Sequence, residues 1–349
     1  MGMWDTVPAG RTVLFVVHNG TTLDRLLDVA AVFADDLRVR IVVTSDLSDP
    51  FADGLPEQVA ALGLAAVPWS VATSSRYDLI VSASHHGGLD ELTGPMLILA
   101  HGAGFGKYAP GTRSVFGLAP EWLLRDGRPF AAALGFAHPA DIERLGRAVP
   151  AARPTAELIG DPCFDHLRTL PAGGDGRTVV VTTTWGEKSL LGRGTGVLRA
   201  LLDAGYRTRL IMHPNVWARY GEHQLRLWLS GCLRDGLTLV PPLRAWRAEL
   251  AAADYVVGDH GSVTVYGAAL GKPTLLAAFA GDDVVPGSPA HRLGELAPRL
   301  EPDVPIEIQL PKAPASTELA GLVTAVPGEA VRRLRATCYR LLELEETPC

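Results

Sequence analysis

The residues best suited to chemistry stand at the ends of short apolar runs. His18 follows Thr12–Val17, His85 and His86 follow Asp78–Ala83, and His101 follows Met96–Ala100. His213 follows Thr208–Met212, and Asp259-His260-Gly261 follows Tyr255–Val257. In Ala100-His101-Gly102-Ala103-Gly104-Phe105-Gly106-Lys107 the glycines leave His101 room to face a ligand. An imidazole titrating near neutrality can take a proton from an attacking hydroxyl, worth ~10²–10⁴-fold in rate. The spacing is G-x-G-x-G, not the dinucleotide-binding fingerprint, and an exposed histidine on a flexible loop would read the same way. At Asp259-His260-Gly261-Ser262 a polar turn precedes a helix from Val263, closed by Gly271 and Pro273. Free backbone N–H groups and the helix dipole make such a start attractive to an anion. Gly261 allows close approach there, and the hydroxyls of Ser262 and Thr264 can donate to phosphate oxygens; an ordinary capped helix start fits the same residues.

Met212-His213-Pro214-Asn215 places a histidine just beyond a buried strand. A protonated His213 there could pair with a diphosphate and stabilise charge growing on it, with Pro214 expected to block an immediate helix. A loop histidine bonded to a carbonyl is the alternative. His85 and His86 are adjacent and diverge in an extended chain. They have no Asp, Glu or Cys at ligand spacing, so no metal is expected. His18-Asn19-Gly20 borders an acceptor pocket or simply starts a helix. Trp217, Trp228 and Trp246 read as packing residues, and Asp141–Arg147 as a solvated helix surface.

The elements that must position these residues alternate. Strands are expected at Thr12–Val17, Leu37–Thr44, Ala65–Val67, Asp78–Ala83 and Met96–Ala100. The helices between them include Leu23–Phe33, opened by Thr21 with Asp24 in a capping-box arrangement, and Pro56–Leu62. Pro171-Ala172-Gly173-Gly174-Asp175-Gly176 reads as a linker, after which the rhythm restarts. Strands follow at Thr178–Thr182, Thr208–Met212, Leu237–Val240, Tyr255–Val257 and Thr274–Leu276. Helices follow at Thr195–Ala204, Gln224–Leu233, Trp246–Ala253 and Val263–Leu270. A long last helix spans Gly328–Leu344, with Val331, Leu334, Cys338, Leu341 and Leu342 on its apolar face. Short continuous apolar runs separated by helices imply parallel sheets covered on both faces. The expected organisation is an N-terminal Rossmann-like domain over 1–170, a linker over 171–177, a second Rossmann-like domain over 178–325, and a C-terminal helix over 326–349. For that helix, packing back on the N-terminal domain is one arrangement open to it. In open α/β sheets ligands bind beyond the carboxyl ends of the strands. Two such domains facing each other would gather these strand ends around one cleft.

A length of 349 residues suits two domains. With 47% hydrophobic and 20% charged residues and a net charge of −6, the chain is neither disordered nor a basic nucleic-acid binder. No apolar run reaches the ~18 residues of a membrane span, and Met1–Arg11 carries no secretory pattern. The four cysteines, Cys163, Cys232, Cys338 and Cys349, are far apart, which fits the reducing cytoplasm and no zinc site. Only four lysines stand against 28 arginines, and Lys107 and Lys272 are two of them.

Read in order, these segments resemble the CDP-glycerol glycerophosphotransferases, the family of teichoic-acid polymerases and primases. More broadly they resemble GT-B nucleotide-sugar transferases and UDP-N-acetylglucosamine 2-epimerases. The family's Trp-His-Gly-Thr-Pro loop is similar to Ala100-His101-Gly102-Ala103-Gly104. Its Gly-x-Pro-Arg-x-Asp segment is similar to Gly160–Asp165, and its Pro-Thr-Trp-Arg to Thr183-Thr184-Trp185-Gly186. Its Leu-His-Pro is similar to Met212-His213-Pro214. Its Thr-Asp-Tyr-Ser-Ser-Val is similar to Gly258–Val263, with its Lys-Pro at Lys272-Pro273. The likeness spans Leu99 to Pro273, roughly half the chain. The departures are Ala100 for Trp, Gly186 and Cys163 for Arg, Gly261 for one Ser and His260 for Tyr.

The resemblance implies a GT-B-like fold, α/β with two doubly wound parallel-sheet domains facing a central cleft. It implies a soluble transferase moving a glycerophosphate, polyol-phosphate or sugar from a CDP-, UDP- or dTDP-activated donor to a hydroxyl acceptor. His101 and His213 would be catalytic. Ser262, Gly261, Asp259, Thr264, Thr184 and Trp185 would surround the donor phosphates. His18, Asn19, His85, His86 and Lys107 would lie on the acceptor side. No cofactor, metal or nucleic acid is expected, and the oligomeric state is left open. Two other readings stand beside it. One is a non-hydrolysing nucleotide-sugar 2-epimerase, which needs cleft carboxylates such as Asp161 or Glu187. The other is a non-catalytic nucleotide- or sugar-binding relative, favoured by the replaced arginines.

Overall fold

The computed structural model describes residues 10–346, so Cys349 and most of Met1–Arg11 lie outside the described residues. The chain divides into two compact units. The first holds residues 10–101, 116–163 and 325–346; the second holds Gly102–Val115 and Phe164–Thr324. This differs from the linear division expected from the linker over 171–177. The glycine loop after His101 belongs to the second unit, and the last helix belongs to the first.

The first unit is built on a parallel sheet of β1 (Arg11–Val16), β2 (Val39–Thr44), β3 (Leu79–Ser82), β4 (Met96–Leu99), β7 (Ala133–Phe136) and β8 (Ala156–Leu158), in the order β2-β1-β3-β4-β7-β8. A small antiparallel hairpin, β5 (Leu124–Arg125) and β6 (Arg128–Pro129), turns through Asp126 and Gly127, both at positive φ as an Asp-Gly hairpin turn requires. Val13, Leu14, Ile80, Val81, Leu97 and Ala133 are wholly buried, as strands covered on both faces must be. The β7 strand is absent from the sequence reading because Ala133-Leu134-Gly135-Phe136 has weak strand propensity. Packing selects Gly135: a Cβ there would lie 2.4 Å from Leu99 Cδ2 and 2.6 Å from Ile159 Cδ1. Two expected boundaries move for the same kind of reason. Leu37 is exposed and lies before β2, and Ala65–Val67 contributes only a bridge between Val43 and Ala66.

The helix Gly20–Ala30 is capped by Asn19, not opened by Thr21 and Asp24. Asn19 Oδ1 accepts the N–H groups of Thr21 and Thr22, and the Thr22 hydroxyl accepts the Asn19 N–H in return. Arg25 on this helix reaches Asp161, Nη1 to Oδ1 at 2.9 Å, with both side chains almost fully buried. The last helix is shorter than expected, Ala330–Leu341. It buries Leu334, Thr337, Cys338 and Tyr339, whereas Val331 faces solvent. The Tyr339 hydroxyl donates to Asp36 Oδ2 at 2.8 Å.

The second unit has a five-stranded parallel sheet of β9 (Thr178–Thr183), β10 (Arg207–Met212), β11 (Thr238–Val240), β12 (Tyr255–Gly258) and β13 (Thr274–Leu276), in the order β11-β10-β9-β12-β13. Its core joins Val179, Val181, Leu198, Leu201, Leu210 and Val257 across sheet and helices. Pro214 does not block a helix; it starts one, Pro214–Trp228, since a proline in the first turn sacrifices no hydrogen bond. Gly221, at φ 73° and ψ 153°, breaks that run, and Ser230–Arg234 is a separate short helix.

The buried Arg25–Asp161 pair gives a direct test of the first unit. Arg25→Met leaves a carboxylate buried without its cation and should lower stability by about 3–5 kcal/mol. Urea denaturation followed by circular dichroism reads this, and an unchanged midpoint would contradict the pair's importance.

Candidate functional site

From β9 the second-unit chain moves outward through β10 and β11, then returns to the other side of β9 for β12 and β13. The strand order therefore reverses between β9 and β12, the place where open α/β sheets bind ligands. Two loops leave the sheet there. One begins at Thr184 after β9, and the other runs through Asp259, His260 and Gly261 to the helix Ser262–Ala269.

Asp259 ties these loops together. It is wholly buried, and its Oδ2 accepts the N–H of Thr184 at 2.8 Å and of Leu190 at 3.0 Å, while Oδ1 accepts the N–H of Gly261 at 2.9 Å. Burial pushes its carboxyl pKa up, and the N–H donors and the nearby Lys107 charge pull against that. Behind the turn, Thr264 Oγ1 lies 2.7 Å from Thr182 Oγ1, both fully enclosed. Gly258 leaves room for this pair, since a Cβ would meet the Thr182 and Thr264 hydroxyls at 2.3 and 2.5 Å. Asp259 and Thr264, expected beside phosphates, have side-chain oxygens bonded within the turn and the sheet behind it. Ser262 opens the helix, which has no side-chain cap among the described residues. Its Oγ accepts the Ala103 N–H at 3.2 Å, and a Cβ on Gly102 would fall 2.5 Å from that oxygen.

The glycine loop is anchored in this unit by Tyr108 N–H to Asp283 O and Val285 N–H to Gly106 O, both at 3.0 Å. Lys107 Nζ donates to Thr184 Oγ1 at 3.2 Å. Lys107 therefore stands with the loops at the β9/β12 reversal. Trp185, next to Thr184, is 43% exposed. His213 ends β10 and caps the helix Pro214–Trp228, its Nδ1 accepting the Asn215 N–H at 3.2 Å. An acceptor Nδ1 places the ring proton on Nε2. His260 is buried with its pKa lowered to about 3 by loss of solvation, edge-on to Phe279.

The first unit has its own reversal, between β1 and β3. His18 and His86 stack there with ring centroids 5.0 Å apart. His18 Nε2 donates to His86 O at 2.7 Å, and its Nδ1 has no partner among the described residues. His86 Nε2 reaches Asp49 Oδ2 at 3.2 Å, and Asn19 Nδ2 donates to the same oxygen at 2.9 Å. Asn19 thus both starts a helix and joins this cluster. His101 Nδ1 donates to Ala83 O at 2.9 Å, which leaves the lone pair of the neutral ring on Nε2. His86 and His101 both meet the ring of Phe116 edge-on. Asp49 and Phe116 were not singled out in the sequence; the run Asp46–Asp53 just after β2 was the available signal for the first. Asp161, the candidate acid or base, is committed to Arg25 and to the Cys163 N–H. Among the described residues no cluster of three or more His, Cys, Asp or Glu could hold a metal ion, and no helix is long and apolar enough to cross a membrane.

Burial lowers His18 from 6.5 to about 4 and His85 and His260 from 6.5 to about 3. Below pH 6.5 the unfolded chain therefore takes up protons that the folded chain refuses. Stability is complete above that pH and should fall by about 1.4 kcal/mol per pH unit for each histidine, down to the folded-state values. Urea midpoints between about pH 7.5 and about pH 5 should decline steeply, and His18→Gln should flatten the slope. A midpoint independent of pH over that range would contradict it.

No family model and no curated protein matches the sequence. Solved structures match along nearly the whole chain. A variant of the wall teichoic acid polymerase TagF soaked with CDPG shares 14% identity, with a TM-score of 0.57 over 97% of this chain and 90% of the other. MnaA of S. aureus in a co-structure with UDP shares 12%, with a TM-score of 0.56 over 97% and 99%. A UDP-N-acetylglucosamine 2-epimerase structure from Listeria monocytogenes, described as putative, shares 12%, with a TM-score of 0.57 over 98% and 100%. The chain therefore has the two-domain α/β fold of the GT-B type that these proteins share.

Proposed function

We propose that this protein is an enzyme that transfers a glycerophosphate, polyol-phosphate or sugar group from a nucleotide-activated donor to a hydroxyl acceptor. The observation that carries the reading is the convergence at the β9/β12 reversal. An uncapped helix start, the Ser262 hydroxyl and the Lys107 ammonium meet there, where an open α/β sheet takes its ligand. The UDP of the MnaA structure and the CDPG of the TagF structure support a donor of this class.

In this mechanism the backbone N–H groups at the start of Ser262–Ala269 and the Ser262 hydroxyl hold donor phosphate oxygens. The Nε2–H of His213 donates to the phosphate that gains charge as the leaving group departs. A pre-aimed donor of this kind is worth roughly 10²–10³-fold in rate. His101, fixed by Ala83 O, takes the acceptor's hydroxyl proton on Nε2. The acceptor oxygen then bonds either to the β-phosphorus, expelling CMP, or to the anomeric carbon, expelling a nucleoside diphosphate. The engagement of Asp161 with Arg25 leaves the 2-epimerase reading without one of its two carboxylates.

Incubation with CDP- and UDP-activated glycerol, polyols and sugars, following CMP, UDP or donor loss, tests the reading. Turnover of one donor supports it, and thermal stabilisation by a donor without turnover supports the non-catalytic binder instead. Absence of any thermal shift would defeat both. His101→Ala should lower kcat by roughly 10²–10⁴-fold with donor affinity kept, whereas His213→Ala and Ser262→Ala should weaken donor binding. Undiminished turnover in His101→Ala would remove its role as base.

A further inference from the structure

Among the described residues Lys107 is partly buried, and no carboxylate contacts its ammonium. Lys188 pairs with Asp283, Nζ to Oδ1 at 2.7 Å, and Lys272, likewise partly buried, donates to Ala251 O at 2.7 Å. The hydrogen bond of Lys107 goes to a neutral hydroxyl, Thr184 Oγ1, and the carboxylates of Asp259 and Asp283 attract it only from beyond contact. Asp259 cannot turn toward it without releasing three backbone N–H groups. Asp283 is already held by Lys188. Enclosure lowers the Lys107 pKa, the expected direction for a desolvated ammonium short of partners.

The backbone around Lys107 is rigidly held. It bridges Val284 in antiparallel fashion, and the neighbouring Gly106 and Tyr108 bond to Val285 and Asp283. Ala103 N–H fixes the other end of the loop on Ser262 Oγ. A second polar atom lacks a partner beside the same turn. His260 is 5% exposed, and its Nδ1 has no hydrogen bond among the described residues. A partly buried cation without a contacting carboxylate and an uncapped helix start are therefore joined through Thr184, Ala103 and Ser262, with the nearby carboxylates committed elsewhere. The group that satisfies both is an anion with several acceptor oxygens.

We propose that Lys107 is the cation that neutralises the diphosphate of the nucleotide donor, delivered to the second unit by the glycine loop that follows His101. The proposal rests on the function proposed above and names the donor-side charge that it leaves open. Lys107 is a binding residue in this assignment: it holds the bridging and terminal phosphate oxygens and contributes nothing to recognition of the base.

The test compares wild type, Lys107→Met and Lys107→Arg by isothermal titration with CDP, UDP, cytidine, uridine and inorganic pyrophosphate. Lys107→Met should weaken CDP or UDP and pyrophosphate by roughly 10- to 100-fold, with nucleoside affinity unchanged. The salt dependence of diphosphate binding should become shallower in the same variant. Lys107→Arg should recover part of the loss. Equal affinity of Lys107→Met and wild type for the diphosphates would overturn the assignment. So would parallel loss of nucleoside and diphosphate binding, which marks a merely structural role. If wild type binds pyrophosphate through Lys107 but no nucleotide, the anion site stands and the proposed function falls. If it binds none of the probes, both fall.

Discussion

Asp259 holds its carboxylate in the protein interior, and that carboxylate accepts the backbone N–H groups of Thr184, Leu190 and Gly261. A buried charge is tolerable only when such donors surround it. The consequence is geometric. The loop after β9 and the turn after β12 come from different βα units, and this carboxylate binds both directly. With the two loops fixed, Gly261 presents the helix start, Thr184 presents its hydroxyl to Lys107, and Ser262 presents its oxygen to Ala103. The rest of the site depends on one acidic side chain that a ligand need not touch.

The histidines divide the same way between holding and acting. Imidazole has two nitrogens, and whichever one the fold occupies decides what the other can do. The carbonyl of Ala83 occupies Nδ1 of His101 as an acceptor, so Nε2 keeps its lone pair and suits a base. The N–H of Asn215 occupies Nδ1 of His213 as a donor, so Nε2 keeps its proton and suits anion binding. The backbone thus sorts two identical side chains into opposite chemistries.

Much of this was legible in the sequence, and the parts that were not share a cause. The sheets were readable because β1, β3 and β9 each contain a short apolar run and β10 ends in one. The helix start at Ser262 was readable from turn chemistry. The β7 strand was not, because Gly135 answers a packing constraint from Leu99 and Ile159, which are distant in sequence. Thr264 and Asp259 were placed in the right turn, but their partners within the fold were not readable. A hydroxyl or carboxylate at a helix start looks the same whether it faces a ligand or the fold, and only Thr182 and Leu190 decide. Lys107 lies close to His101 in sequence, and the loop that carries it passes to the second unit one residue after that histidine.

The last helix shows what discontinuity does to the order of folding. Tyr339 reaches back to Asp36, and Arg335 to Val32 O, so the first unit is completed by residues made after the whole of the second. During synthesis the second unit already possesses every segment of its own core, including the Gly102–Val115 loop, while the first still lacks its final wall. Contacts this distant carry a large loop-closure entropy until the intervening chain has compacted. The half of the chain made first is therefore the half finished last, and its unfinished surface is the one exposed to proteases and chaperones on the ribosome.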